Sequence, residues 1–163
     1  KHVLAALQYA DVIKASDEDL ACLELPGDTA LAQAAHLLRS SQAACLALTL
    51  GSDGATLLTR SGQVFHARER QAVVVVDTVG AGDCFLAGLV AALLDNGLAS
   101  NWGDAPVEAA LAKNLLSRAV ASASFCIMQR GCVPPTRAEL QRRLEVTACD
   151  FTEDSVSPAG VPV

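Results

Sequence analysis

The chain has 163 residues, enough for one domain that buries roughly two thirds of its unfolded surface. Hydrophobic residues make up 52% and charged residues 18%, which excludes disorder as the global description; with 4% aromatic residues, the core must consist mainly of Ala, Leu and Val. The net charge of -6, without a Lys/Arg cluster, argues against a nucleic-acid or membrane partner, because both need a concentrated positive field.

The six cysteines indicate a reducing compartment. They are scattered without a C-x-x-C pair, and several lie in apolar runs where Cys acts as a small hydrophobe. We therefore expect reduced thiols and a cytoplasmic protein. The apolar runs at 73–76 and 85–94 are shorter than the roughly 20 helical residues that cross a bilayer. The chain opens at Lys1 on a helical pattern, from which we expect further sequence upstream.

The first third of the chain alternates helix and strand patterns. These are a helix end at 3–10, a buried strand at 11–14, a helix at 17–23 capped by Ser16, a helix at 29–39 and a strand at 44–50. A strand covered on both faces and joined through helices is typical of a parallel sheet.

The rest of the chain begins with a hairpin pattern and ends without periodicity. It comprises strands at 55–59 and 63–67 joined at Ser61 and Gly62, a valine strand at 73–76, a buried helix at 83–94, a helix from Pro106 toward Cys126, and a helix through Leu144 that starts at the Thr136/Glu139 capping box. Residues 147–163 combine Ser, Pro, Gly and acids, which predicts a flexible tail.

The segment D-T-V-G-A-G-D at 77–83 lies between the predicted valine strand and the next helix. Gly80 and Gly82 allow a sharp turn and a close approach to a ligand, and the N–H groups of a helix start favour an anion such as phosphate. Asp83 cannot bind phosphate by charge, so we interpret it as accepting the proton of a hydroxyl that attacks a phosphoryl group. The alternative is structural, with Asp as a helix N-cap and Gly for turn geometry.

Longer motifs resemble the ribokinase-like (PfkB) sugar kinases. D-T-V-G-A-G-D-C-F-L-A-G at 77–88 is similar to their D-T-x-G-A-G-D-x-F-x-x-G motif, and T-L-G-S-D-G-A at 49–55 resembles their nucleotide-site loop. The 10–20 segment has the form seen in fructokinases and 2-keto-3-deoxygluconate kinases, and Gln129 to Cys132 resembles the family's late loop near the adenine. The resemblance covers about residues 3 to 144.

This resemblance implies the C-terminal part of a three-layer α-β-α, ribokinase-like α/β fold, with a mainly parallel central sheet and a β-hairpin. Residues 1–146 would be a partial kinase domain that lacks the N-terminal sugar-binding and lid part, and 147–163 the flexible tail. An exposed sheet edge and apolar face would then promote association, such as a homodimer.

The resemblance also implies roles for single residues. Asp83 would be the general base, and the amides of Gly80, Ala81 and Gly82 would stabilise the transferred phosphoryl group. The residues expected to contact ATP are Thr49, Gly51, Ser52, Gly54, Gly80, Gly82 and Gly131.

Two cations are implied as well. Asp77, the carbonyl of Val79 and the loop at Gly131 would lie near a potassium-type cation. The family organises magnesium near an N-x-x-E motif, which here reads S-D-E-D at 16–19 and ends on Asp19.

The expected reaction is ATP-dependent phosphorylation of a small-molecule sugar or sugar acid. Two alternatives stay open. The chain could be a catalytically silent fragment that binds nucleotide or assembles with a partner, or part of a nucleoside kinase of the same family.

Overall fold

A computed structural model describes residues 2–98 and 106–155. Its elements are α1 (His2–Leu7), β1 (Val12–Ser16), α2 (Asp17–Cys22), α3 (Ala30–Arg39), β2 (Cys45–Thr49), a 3-10 turn (Gly51–Asp53), β3 (Ala55–Thr59), β4 (Gln63–Glu69), α4 (Ala81–Asp95), α5 (Ala109–Ile127), α6 (Arg137–Val146) and β5 (Cys149–Ser155). The described residues divide into two compact units, the first comprising residues 2–66, 106–109 and 152–155, and the second residues 67–98 and 110–151.

The five strands form one sheet in the order β1-β2-β3-β4-β5. β1 pairs with β2 in parallel, whereas β2 pairs with β3 antiparallel. The pairing is therefore mixed, although the sequence predicted a mainly parallel sheet. The connections explain the difference, because α2 and α3 provide the long crossover that a parallel pair needs, while the short link from β2 to β3 permits only an antiparallel pair. The predicted hairpin of β3 and β4 is confirmed, with Gly62 in its turn at φ 86°.

The first unit is held together by aliphatic side chains between α3 and the sheet. The fully or nearly fully buried members include Ile13, Ala15, Ala34, Leu37, Leu38, Leu46, Leu48 and Leu58. Burial of one such leucine stabilises the fold by about 1.5–3 kcal/mol. The predicted cap of α2 is confirmed, since the Ser16 hydroxyl accepts from the Asp19 N–H at 3.0 Å and the Asp19 carboxylate accepts from the Ser16 N–H at 2.9 Å.

The valine run at 73–76 is not a strand, so that prediction is wrong. Val74, Val75 and Val76 are 77%, 57% and 57% exposed. The N–H groups of Val76 and Asp77 donate instead to the carbonyl of Ile127 at the end of α5, at 2.8 and 3.2 Å. β-branched residues favour a strand only where a partner strand and an apolar cover are available.

The buried helix predicted at 83–94 is α4, which is buried on one face and exposed on the other. Phe85, Leu89 and Leu93 are at most 5% exposed, while Val90 and Leu94 on the other face are 40% and 58% exposed. The described part of the chain contains no helix long and apolar enough to cross a membrane.

Gly88 sets the approach of α4 to α5. A Cβ at Gly88 would lie 2.5 Å from the Ser122 hydroxyl oxygen and 3.0 Å from the Arg118 carbonyl oxygen. We expect Gly88→Ala to lower the free energy of unfolding by about 1–3 kcal/mol, because the collision exceeds the gain in helix propensity. Urea unfolding measures this loss.

Ser122→Gly provides the control for that variant, since it removes the Ser122 side-chain atoms nearest the new methyl group and leaves only the contact with the Arg118 carbonyl oxygen. In the double variant, the loss caused by Gly88→Ala should be smaller than in the wild-type background. Equal losses in both backgrounds would contradict the packing role of Gly88.

The stretch predicted as a flexible tail contains β5. The Arg70 N–H donates to the Ala148 carbonyl at 3.0 Å, and the Arg70 guanidinium donates to the Asp150 carboxylate at 2.7 Å. Alignment beside β4 thus gives Cys149–Ser155 a regular structure that local composition does not predict. Residues 156–163 lie outside the described part.

Asp95 joins three helices of the second unit. At the end of α4, its carboxylate accepts from Arg118 of α5 at 2.7 Å and from Arg137 of α6 at 3.2 Å. These two arginines, Arg118 first, hold the pKa of Asp95 below its usual value. The arginines also offset the unfavourable position of an acid at a helix C-terminus.

Because the folded-state pKa of Asp95 is depressed, its stabilising contribution is present above about pH 4 and is lost as the pH falls through the folded value. We expect Asp95→Asn to lower stability at pH 7 and to flatten the acid limb of a plot of unfolding free energy against pH. The exposed Asp154→Asn is the control, and it should retain the wild-type pH dependence. An unchanged acid limb in Asp95→Asn would contradict the assignment.

Candidate active site

The turn that precedes α4 is shaped by Gly80. Gly80 is the N-cap of α4, with φ 80° and ψ 2° in the left-handed region, and its carbonyl accepts from the Cys84 N–H at 2.9 Å. The N–H groups of the first helical turn have no carbonyl of their own helix to bond. The Ala81 N–H already has a partner outside the helix, since it donates to the Thr78 carbonyl at 3.2 Å. The N–H groups of Gly80 and Gly82 are therefore better suited than that of Ala81 to donate a hydrogen bond to an anion.

Asp83 is the third residue of α4, and its side chain is exposed. The structural alternative for this residue, a helix N-cap, is not met because Gly80 occupies that position without a side-chain cap. A carboxylate in the first turn is compatible with the positive end of the helix dipole. Asp83 thus presents a solvent-accessible carboxylate beside the amides of a helix start.

Asp77 clamps the turn before α4 to the loop after α5. One carboxylate oxygen accepts from the Val79 N–H at 3.0 Å, and the other accepts from the Gly131 N–H at 2.9 Å. These bonds, the one from Val79 first, lower the pKa of Asp77. The structure therefore brings together Asp77, Val79 and Gly131, the three residues that the resemblance assigned to a cation region.

The loop after α5 also lies directly against Gly80. A Cβ on Gly80 would be 2.2 Å from the Cys132 Sγ and 2.5 Å from its Cβ. The sequence carried no signal for this contact, because glycine in a tight turn is explained by its dihedral angles alone. Any side chain at Gly80 would have to displace the 131–132 loop.

In the first unit, the predicted nucleotide loop follows β2. The hydroxyl of Thr49 donates to the Ala15 carbonyl at 3.5 Å, and the Leu50 N–H donates to the Gly54 carbonyl at 2.9 Å. Gly51 is exposed at φ 56°, and a Cβ there would meet nothing within 4 Å. Ser52 beside it is exposed as well. The loop thus offers open backbone to a ligand.

Asp19 is engaged within its own helix start. Its Oδ2 accepts from the Ser16 N–H and lies 3.7 Å from the Lys14 ammonium. The Ser16 backbone bond is the main cause that lowers the pKa of Asp19. These contacts identify Asp19 as a capping residue of α2.

Comparison with known proteins agrees with the motifs. The profile of the pfkB family carbohydrate kinases matches residues 1–139. A fructokinase of Klebsiella pneumoniae is 41% identical over 108 residues, which are 66% of this chain and 34% of that protein.

Two solved structures share the ribokinase-like fold predicted from the motifs. Aminoimidazole riboside kinase from Salmonella enterica, complexed with aminoimidazole riboside and an ATP analog, has a TM-score of 0.69 and 26% identity, over 87% of this chain and 44% of that one. Fructokinase from Vibrio cholerae O395, bound to fructose, ADP and calcium, has a TM-score of 0.67 and 28% identity, over 87% and 43%. The chain spans less than half the length of these relatives. It belongs to the pfkB family of carbohydrate kinases.

Proposed function

We propose that this chain is the ATP-binding and catalytic part of a sugar kinase, which transfers a phosphoryl group from ATP to a hydroxyl of a sugar or sugar acid. The observation that carries the proposal is the exposed Asp83 carboxylate in the first turn of α4, next to Gly80 and Gly82. A base and an anion site at one helix start are the two elements that phosphoryl transfer to a hydroxyl requires.

In this scheme Asp83 takes the proton of the acceptor hydroxyl as its oxygen attacks the γ-phosphorus. The bond between that phosphorus and the bridging oxygen of ADP breaks, and the amides of Gly80 and Gly82 stabilise the charge on the transferred group. Ala81 contributes less, because its N–H already donates to Thr78. The protein thus acts through position and electrostatics.

ATP is proposed to bind as its magnesium complex. The capping bond and the Lys14 contact leave Asp19 poorly suited as a direct magnesium ligand, so we assign no step to it. For the nucleotide itself, Thr49, Gly51, Ser52 and Gly54 in the first unit remain the proposed contacts. The exposure of Gly51 and Ser52 supports their part of the proposal.

A monovalent cation such as potassium fits the second unit. The Asp77 carboxylate and the Val79 carbonyl provide hard oxygen atoms, the ligand type that alkali and alkaline-earth cations take. The hydrogen bonds from Val79 and Gly131 already hold that carboxylate in place. The cation would strengthen the link that Asp77 forms between the turn before α4 and the loop after α5.

Fructose is the acceptor best supported by the relatives, since the Klebsiella and Vibrio proteins are fructokinases. The likeness to aminoimidazole riboside kinase supports a nucleoside-type acceptor as the second candidate. Cytoplasmic location, a homodimer, and a silent nucleotide-binding role for the isolated chain remain further proposals. The exposed valines at 74–76 support association.

The test incubates the longest natural polypeptide that contains this chain with magnesium ATP and one acceptor at a time. The panel comprises fructose, 2-keto-3-deoxygluconate, ribose and aminoimidazole riboside, and mass spectrometry identifies the phosphorylated product. We expect fructose or the sugar acid to gain one phosphoryl group. A product from aminoimidazole riboside alone would favour the nucleoside-type kinase, and no product from a folded protein would favour a nucleotide-binding role.

A further inference from the structure

Three cysteines from three different segments meet beneath the turn that precedes α4. Cys84 lies in the first turn of α4, Cys126 near the end of α5, and Cys132 in the loop that follows α5. Their three Sγ atoms all lie within 4.8 Å of one another. The sequence does not predict this cluster by a C-x-x-C spacing, because the three segments come together only in the folded chain.

Two residues of the cluster are buried and the third is exposed to solvent. Cys84 and Cys126 are 3% and 0% exposed, whereas Cys132 is exposed. The absence of a side chain at Gly80 makes room for the Cys132 sulfur, which lies 2.2 Å from the position a Cβ would take. Packing alone accounts for the two buried residues, whereas Cys132 is exposed as a residue and gains less from apolar burial.

We propose that Cys84, Cys126 and Cys132 bind one thiophilic d10 dication, of the class of Zn²⁺ and Cd²⁺. Sulfur is the only donor type in the cluster, and thiolates select such metals over magnesium or calcium. Zinc–sulfur bonds of about 2.3 Å in a tetrahedral site place the sulfurs roughly 3.8 Å apart, so the Sγ atoms, which already lie within 4.8 Å of one another, need to approach by at most about 1 Å. Solvent occupies the fourth position on the side of Cys132.

The protons and charges of the step balance. Three thiols and one dication give a tris-thiolate complex of charge about -1 and release three protons. Burial, together with hydrogen bonds to the other two thiols, raises the pKa of Cys84 to about 12. The N-terminus of α4, in whose first turn Cys84 lies, stabilises the negative complex.

Metal binding would also alter the turn itself. The Cys126 thiol donates to the Val79 carbonyl at 3.5 Å. A metal-bound thiolate has no proton to donate, so the Val79 carbonyl would lose this partner. The site is thereby coupled to the turn that contains Gly80, although the binding does not depend on the proposed kinase activity.

The test is a Cd²⁺ titration of the full chain, kept reduced by a phosphine that binds cadmium weakly, with the ultraviolet thiolate-to-cadmium charge-transfer band as the readout. We expect one Cd²⁺ per chain, displaced by excess Zn²⁺. Cys132→Ser should weaken binding by at least about 100-fold, since loss of a direct ligand exceeds the usual effect of an outer-shell partner. Circular dichroism checks that the variant folds, which the exposed position of Cys132 favours.

Cys22→Ser is the matched control, because Cys22 is also exposed but does not belong to the cluster. This variant should bind Cd²⁺ as the wild type does. The proposal is overturned if the folded wild type shows no charge-transfer band, if Cys132→Ser retains wild-type affinity, or if both variants lose affinity equally.

Discussion

Replacement of Asp83 by Asn is expected to lower turnover of the acceptor sugar by about 10² to 10⁴-fold, with little change in ATP binding. Asn keeps the size and polarity of the side chain but cannot accept the hydroxyl proton. The exposed position of Asp83 makes a general loss of stability an inadequate explanation for such an effect. Steady-state kinetics and ATP titration of the longest natural polypeptide provide the two readouts.

A matched control separates the role of the base from the removal of one surface charge. Asp28 is exposed and lies outside the proposed site, so Asp28→Asn should leave turnover within about twofold of the wild type. Wild-type turnover in Asp83→Asn would show that Asp83 is not the general base.

Gly80→Ala is expected to damage both folding and catalysis. The left-handed backbone at φ 80° costs alanine about 1–2 kcal/mol, and the collision with Cys132 at 2.2 Å adds an overpacking cost of about 1–3 kcal/mol. Displacement of the turn also moves the amides that are proposed to stabilise the phosphoryl group. In addition to this loss of stability, we expect turnover to fall by about 10²-fold, because a displacement of catalytic groups by about 1 Å has this effect.

Gly97→Ala isolates the backbone contribution. Gly97 has a similar φ of 72°, but a Cβ there meets nothing within 4 Å. It should therefore show the conformational cost without the collision and without the loss of turnover. Urea unfolding and kinetics of the two variants side by side make the comparison. Equal effects at both positions would show that the contact between Gly80 and Cys132 is unimportant.

Features fixed by neighbouring residues were predictable from the sequence. The capping boxes of Ser16 with Asp19 and of Thr136 with Glu139 both form as predicted. Each depends on residues three positions apart, whose geometry the helix itself determines. The hairpin at Gly62 follows from similarly local information.

Features that depend on a distant partner were not predictable. The valines at 73–76 have the composition of a strand, yet the N–H groups of Val76 and Asp77 donate to the Ile127 carbonyl at the end of α5. β5 forms in a segment that lacks periodicity, because β4 is available as its neighbour. In both cases the tertiary environment decides the structure, and local propensity does not.

The candidate site likewise has features that the sequence predicts and features that only the structure reveals. The resemblance identified the 77–88 motif, but the separate roles of its glycines required the structure. Gly80 provides the left-handed turn and the space for Cys132, and Gly88 provides the close approach of α4 to α5. The two bonds that Asp77 accepts connect loops more than fifty residues apart, and no local pattern reveals such a link.

The central claim is that this chain carries the catalytic end of a sugar kinase, and sugar-stimulated ADP release tests it most directly. The longest natural polypeptide that contains the chain is given magnesium ATP with and without fructose, and ADP is measured over time. The account predicts release that rises with the sugar and falls by about 10² to 10⁴-fold in Asp83→Asn. A folded protein that binds ATP but releases ADP at the same rate with and without every sugar in the panel would contradict it.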